Sequence, residues 1–280
     1  MLRLISVNFC RVGTSIGFWA CAAITFFICF TAPVSVESRQ TSMTIFSILL
    51  YLPREELLID TNLCAEQMLH AYRNGYFTLF CSMLVLFPFV NAFTVQREIG
   101  FPRYMLLRTG RVSYALGEII SLILCGCSAI GIGILCYSFF VWFEFPHLSA
   151  YSAEQVMSFM QAGSLPVQWL CFLCYCICST SFGILLLSFC KNRYLILTIP
   201  FFAQHLLRQL SQGLLSTGFV NNNTALINFA NLLSPEATWD LPYSSGSQIF
   251  WICLLHFGFI CAASAVFCMV GNRRLDVGDF

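Results

Sequence analysis

Charge is what this chain has least of. Aspartate, glutamate, lysine and arginine make up 10% of its 280 residues, where a soluble domain carries about 25%. Lysine is nearly missing, with Lys191 standing alone beside thirteen arginines. The net charge of +1 provides no basic field for a nucleic-acid partner. No G-x-x-x-x-G-K-[ST] occurs, and the only lysine follows Cys190 rather than a glycine, so the chain cannot cradle ATP in a P-loop. H-E-x-x-H is absent too, as is any cytosolic cluster of histidines and carboxylates, so no enzyme activity is expected. Long repeats, low-complexity linkers and soluble segments large enough for a second domain are also lacking. Residues 1–280 therefore read as one transmembrane domain.

Apolar residues fill the gap: they form 58% of the sequence, and the mean hydropathy is +0.78. A helix needs about 20 apolar residues to cross the hydrocarbon core, because lipid satisfies no backbone donor or acceptor. Five uncharged runs reach that length, at about residues 12–32, 76–95, 119–143, 167–190 and 249–270. A sixth, at about 194–215, is interrupted by Pro200, Gln204, His205, Arg208, Gln209 and Gln212.

Charge placement argues that the sixth run also crosses. Arginine and lysine in short loops stay on the cytoplasmic side. With a cytoplasmic start, ten of the fourteen basic residues fall inside and nine of the thirteen acids outside. Lys191/Arg193 and Arg273/Arg274 share the inner side only if an even number of spans separates them. The expectation is an all-α, multi-pass protein of the cytoplasmic membrane with six spans and both termini in the cytoplasm. A cleavable signal is the other reading of the first run, but its apolar stretch is long for one and no clean small-x-small site follows it.

The outer segments carry shorter elements. Met43–Leu52 is too short to span, and Leu63–Tyr72 reads as an amphipathic helix ending before Asn74-Gly75. Ser152–Met160 opens with Ser152 and Gln155 at capping-box spacing, and Asn221–Thr224 contains a glycosylation sequon. These pieces either lie on the outer interface or cap the bundle.

Sixteen cysteines sit almost wholly inside apolar runs, with Cys64 alone in a polar loop, so free thiols packed as small side chains are expected. Cys171, Cys174 and Cys178 share one helix face with Cys176 turned away, and Cys125-Gly126-Cys127 is a second close pair. Soft thiolates favour copper or zinc, yet no histidine or acid supports them there, so packing is preferred and no metal is assigned.

The longest inner loop reads QREIGFPRYMLLRTGRVSYALG from Gln96 to Gly117. Pro102 suits the first turn of a short helix over Arg103–Arg108, Thr109-Gly110 ends it, and a new helix starts near Val112. The order Arg97-Glu98-x-Gly100, Leu106-Leu107, then Arg111-x-x-Tyr114-x-x-Gly117-Glu118 resembles the coupling loop of type-2 exporter permeases of the ATP-binding-cassette transporters. The whole plan is similar, down to Leu233-Ser234-Pro235 before the last span. Glu118 departs from the lysine that many members carry there.

The resemblance implies a permease that pairs with a second permease, identical or not, and docks a separate ATPase that binds ATP and Mg. The docking residues would be Arg97, Glu98, Gly100, Phe101, Pro102, Tyr104, Leu107, Arg108 and Arg111. The other reading of these arginines is topology anchoring on anionic headgroups. Asn91, Gln204, His205, Arg208 and Gln212 are candidates for a substrate path or dimer seam, which the resemblance favours, with snorkelling of Arg208 to the surface as the alternative. The expected function is an ATP-driven exporter subunit for an apolar or amphipathic cargo. The alternative from another class is a non-transporting sensor or immunity-type protein that binds a ligand through its outer helices.

Overall fold

The computed structural model describes residues 2–36, 41–58, 60, 63–74, 76–147, 165–190, 192–216, 229–232, 234–239 and 246–271. Helices dominate: α1 (Leu2–Gly13), α2 (Ile16–Cys29), α3 (Ile45–Tyr51), α4 (Arg54–Leu57), α5 (Ala65–Ala71), α6 (Tyr76–Glu98), α7 (Phe101–Thr109), α8 (Arg111–Glu144), α9 (Leu165–Ser179), α10 (Ser181–Phe189), α11 (Arg193–Ser216) and α12 (Gly246–Val266). One antiparallel hairpin interrupts them, pairing β1 (Pro33–Val36) with β2 (Thr41–Thr44) in the register Pro33 opposite Thr44. Nothing in the hydropathy pattern marks this hairpin, because its strands are short and half polar.

Four helices among the described residues are long and apolar enough to cross a membrane: Tyr76–Glu98, Arg111–Glu144, Trp169–Phe189 and Ser247–Val270. A bent pair, Arg3–Gly13 with Ile16–Cys29, makes a fifth if taken together. The polytopic helical class is thus seen, with four or five candidate spans where six were expected.

Two differences account for that count. The run at 12–32 is not one straight helix, since the chain turns by 66° between α1 and α2. The 14 residues of α2 cover only about 21 Å at 1.5 Å per residue, against a core of about 30 Å. The run at 194–215 does form one helix of 24 residues, long enough in extent, but its glutamines, histidine and arginine keep it out of the apolar class.

The described residues group into two compact units. The first contains Met1–Trp19, Cys81–Ser128 and Leu165–Phe280. Here α1 is amphipathic: Leu4, Asn8 and Val12, spaced four apart, are buried, while Arg3, Val7, Cys10 and Arg11 are exposed. Close helix approach is written into Gly126 of α8, where an added Cβ would meet the Val85 carbonyl of α6. Only glycine permits that contact.

The second unit contains Ala20–Phe80 and Ala129–Ser164. Its core is aromatic, with Phe30 edge-on to Tyr137 at 5.3 Å and to Phe140 at 5.2 Å, and Tyr72 against Phe77 at 5.5 Å. The Tyr137 hydroxyl donates to the Met68 carbonyl at 2.7 Å, tying α5 to α8. Thr44 caps α3 by accepting from the Ser47 amide at 3.2 Å, so the stretch Met43–Leu52 becomes strand then helix. The expected helix over Leu63–Tyr72 is present as α5 followed by a tight turn at Tyr72–Asn74. Cys64 does not stand in an open polar loop: it is fully buried at the start of α5, and burial pushes its thiol up. Ser152–Met160, Asn221–Thr224, Lys191 and Arg273/Arg274 lie outside the described residues.

Candidate functional site

The stretch after α6 is shaped by two glycines. Gly100 has φ 72° and Gly110 has φ 78° with ψ 152°, left-handed conformations that other residues rarely adopt. Between them α7 runs for nine residues with Pro102 in its first turn, where a missing N–H costs nothing. The Gly110 amide closes the helix on the Leu106 carbonyl at 3.1 Å, and the Gly110 carbonyl accepts from Tyr114 to start α8 at 3.0 Å.

The short helix has an inner and an outer side. Pro102 and Leu106 are buried, and Leu106 joins Leu4 and Tyr114 in a small apolar core. Tyr104 and Leu107 point out, 71% and 86% exposed, next to exposed Glu98, Arg108 and Arg111. Phe101 is half-buried. Large apolar side chains are thus held open on a basic helix.

Arg97 does not project with Glu98. Its Nη2 donates to the Leu187 carbonyl at 2.6 Å and its Nη1 to the Cys190 carbonyl at 3.3 Å, while its guanidinium carbon lies 4.6 Å from the Phe93 ring centre. Those carbonyls belong to the last turn and cap of α10, where no amide of the helix reaches them. A cation there also complements the negative end of the helix dipole. Arg97 thus caps a neighbouring helix and fixes the exit of α6.

A buried polar group surrounds the same base. Asn8 of α1 donates from Nδ2 to Glu118 Oε1 at 3.1 Å, and the Tyr114 hydroxyl faces the same carboxylate one helical turn earlier. The Gln96 amide oxygen, in the orientation its donors dictate, accepts from the Arg11 guanidinium. The role of Glu118 was not legible in the sequence. The four-residue spacing of Leu4, Asn8 and Val12 was the available signal that α1 has a face to bury.

The polar stripe of α11 splits in two. Gln204 and Ser211 are buried and Arg208 is half-buried between them, with Arg208 Nη2 3.3 Å from Glu236 Oε1. Gln209 and Gln212 are exposed and His205 is half-buried, among exposed Phe202, Leu206 and Leu210. The amide oxygen of Gln204 and Nδ1 of His205 have no hydrogen-bond partner among the described residues. Asn91 is half-buried near Gly17, whose added Cβ would lie 3.9 Å from Asn91 Nδ2. The Arg208–Glu236 pair was missed because 27 positions of intervening sequence carry no periodic link between them.

All sixteen cysteines are free thiols. Among the described residues, no group of three or more histidines, cysteines or acids is arranged to hold a metal ion. No family model matches the chain, and neither a curated protein nor a solved structure is significantly similar to it.

Proposed function

We propose that this chain is the membrane-spanning subunit of an ATP-driven exporter, with α7 as the lever gripped by a separate ATPase. The observation that carries the reading is the outward presentation of Tyr104 and Leu107 on a basic helix fixed between two left-handed glycines. An exposed leucine and tyrosine are costly in water, so a short helix that holds them out is best explained by a partner that covers them. Glu98, Arg108, Arg111 and Phe101 complete the face. Arg97, Gly100 and Pro102 set its angle.

The proposed topology has six spans in the cytoplasmic membrane with both termini inside, counting α11 as a span and the α1–α2 pair as another. Crossing by α11 accommodates its polar residues if Arg208 keeps Glu236 and if His205 and Gln212 meet a second permease copy or a homologous chain. Asn91 and Gln204 would then flank the path. ATP and Mg bind the partner, and its closure tilts α7 so that the cavity between two permeases alternates its exposure. The scarcity of intramembrane charge favours an apolar or amphipathic cargo.

The test is co-purification from native membranes. Wild-type chain should bring down a P-loop ATPase, and Tyr104→Asp or Leu107→Asp should cut its recovery at least tenfold, while Arg54→Ala on the outer segment leaves it unchanged. Recovery of no P-loop chain, or labelling of position 104 from outside the cell, overturns the exporter reading and leaves the ligand-sensing alternative.

A further inference from the structure

Glu118, near the start of α8, is a carboxyl group buried away from water, 1% exposed. Its Oε1 accepts from Asn8 Nδ2 of α1 at 3.1 Å, and its Oε2 has no hydrogen-bond partner among the described residues. The charged groups that face it are Arg11 of α1 and Arg97 of α6, with Tyr114 and Cys125 on its own helix. Both guanidiniums are engaged elsewhere, Arg11 by the Gln96 amide and Arg97 by the last carbonyls of α10. The Tyr114 hydroxyl, one helical turn before Glu118, is fully buried and has no hydrogen-bond partner there either.

We propose that Glu118 is a proton-binding site whose occupancy latches α1 against α7 and α8. An ionised carboxylate held by one neutral amide away from water is strongly disfavoured, and such a group takes up a proton instead. The neutral acid keeps the Asn8 bond on Oε1, while Oε2 becomes a donor that side-chain rotation aims at the Tyr114 oxygen. The cover of this site is α1. Leu4, one turn before Asn8, lies against Gly117, where an added Cβ would come within 2.6 Å of Leu4 Cδ2. The same leucine shares its apolar core with Tyr114 and with Leu106 of α7. Seating α1 therefore buries Glu118 and supports α7 in one step. With α1 lifted, water reaches the carboxylate and it ionises. The seated state thus holds the proton more tightly than the lifted one, so seating is favoured at low pH and lost as pH rises.

The latch stands without the exporter reading, so its test uses the full chain alone in phosphatidylcholine vesicles. Hydrogen exchange of the α1 amides is followed by mass spectrometry at about pH 6 and about pH 9, corrected for the intrinsic rate. In the wild type, α1 should exchange at least tenfold faster at the higher pH. Glu118→Gln, whose amide oxygen still accepts from Asn8 but never ionises, should stay slow at both. Equal wild-type protection at the two values overturns the proposal, as does a Glu118→Gln chain that loosens with pH as the wild type does. Infrared spectroscopy gives a second readout that does not depend on the folding of Glu118→Gln. The wild type should lose a protonated-carboxyl band between the same two pH values. Glu118→Asp, checked for native helix content by circular dichroism, should shift that band. A wild type with no such band at the lower pH, or a band that Glu118→Asp leaves in place, overturns the proposal.

Discussion

Replacing Arg97 isolates what holds the base of α6 in place. Arg97→Ala removes two charge-assisted hydrogen bonds, at 2.6 and 3.3 Å, and frees the last carbonyls of α10. Each such bond contributes about 1.5–3 kcal/mol, and the charge also complements the helix dipole, so a net loss of about 3 kcal/mol is expected after partial rehydration. For a chain of this size that corresponds to a fall in melting temperature of about 6–12 °C. Arg97→Lys keeps the charge but not the planar fork, reaches one carbonyl at most, and should lose about half as much. Thermal unfolding of the purified chain in detergent, followed by cysteine-reactive dye or circular dichroism, measures both. If Arg97→Ala melts within 1 °C of wild type, or if Lys is no better than Ala, the guanidinium does not cap α10 and the assignment is wrong.

Gly126→Ala should destabilise by about 1–3 kcal/mol, because its new methyl meets backbone rather than a yielding side chain; a melting temperature equal to wild type would show that α6 and α8 are not in contact there. Tyr137→Phe leaves the Met68 carbonyl without its donor and should cost about 1 kcal/mol, with faster hydrogen exchange around α5 as the local readout. Cys64 should react with maleimide far more slowly than exposed Cys10 in detergent, and its rate should keep climbing with pH above the usual thiol range. The sign follows from burial, which raises the pKa and leaves less thiolate at any given pH; equal rates for the two would place Cys64 in an open loop after all.

Hydropathy made the helical, multi-pass class legible, because a span must be both long and uncharged, and four of the five uncharged runs lie on helices long and apolar enough to cross. The first run was harder, since Thr14 and Ser15 read as tolerable residues within an apolar stretch, yet their hydroxyls bond the end of α1: Thr14 Oγ1 donates to the Arg11 carbonyl at 3.0 Å and Ser15 Oγ to the Val12 carbonyl at 2.6 Å. Composition could not show that bend, and it shortens α2 below the hydrocarbon thickness. The limits of α7 were legible because glycine and proline act locally, and Gly100, Pro102 and Gly110 each sit where the backbone requires them.

Which residues face which was far less legible. Arg97 and Glu98 are adjacent and were both read as docking residues, but only Arg97 reaches the C-terminal carbonyls of α10, a contact 90 residues away in sequence. The same holds for Asn8 with Glu118 and for Arg208 with Glu236. Cys176 was read as turned away because spacing on its own helix says nothing about Cys81, whose thiol arrives from α6 at 3.9 Å.

The most direct test of the exporter reading places a photoreactive benzoyl-phenylalanine at Leu107, the most exposed apolar position of α7, in cells that make the full chain. Irradiation should yield a covalent adduct whose second chain carries a P-loop, and Tyr104→Asp in the same protein should abolish it. An adduct only with lipid, or a partner that has no nucleotide-binding motif, would contradict the assignment of α7 as a lever.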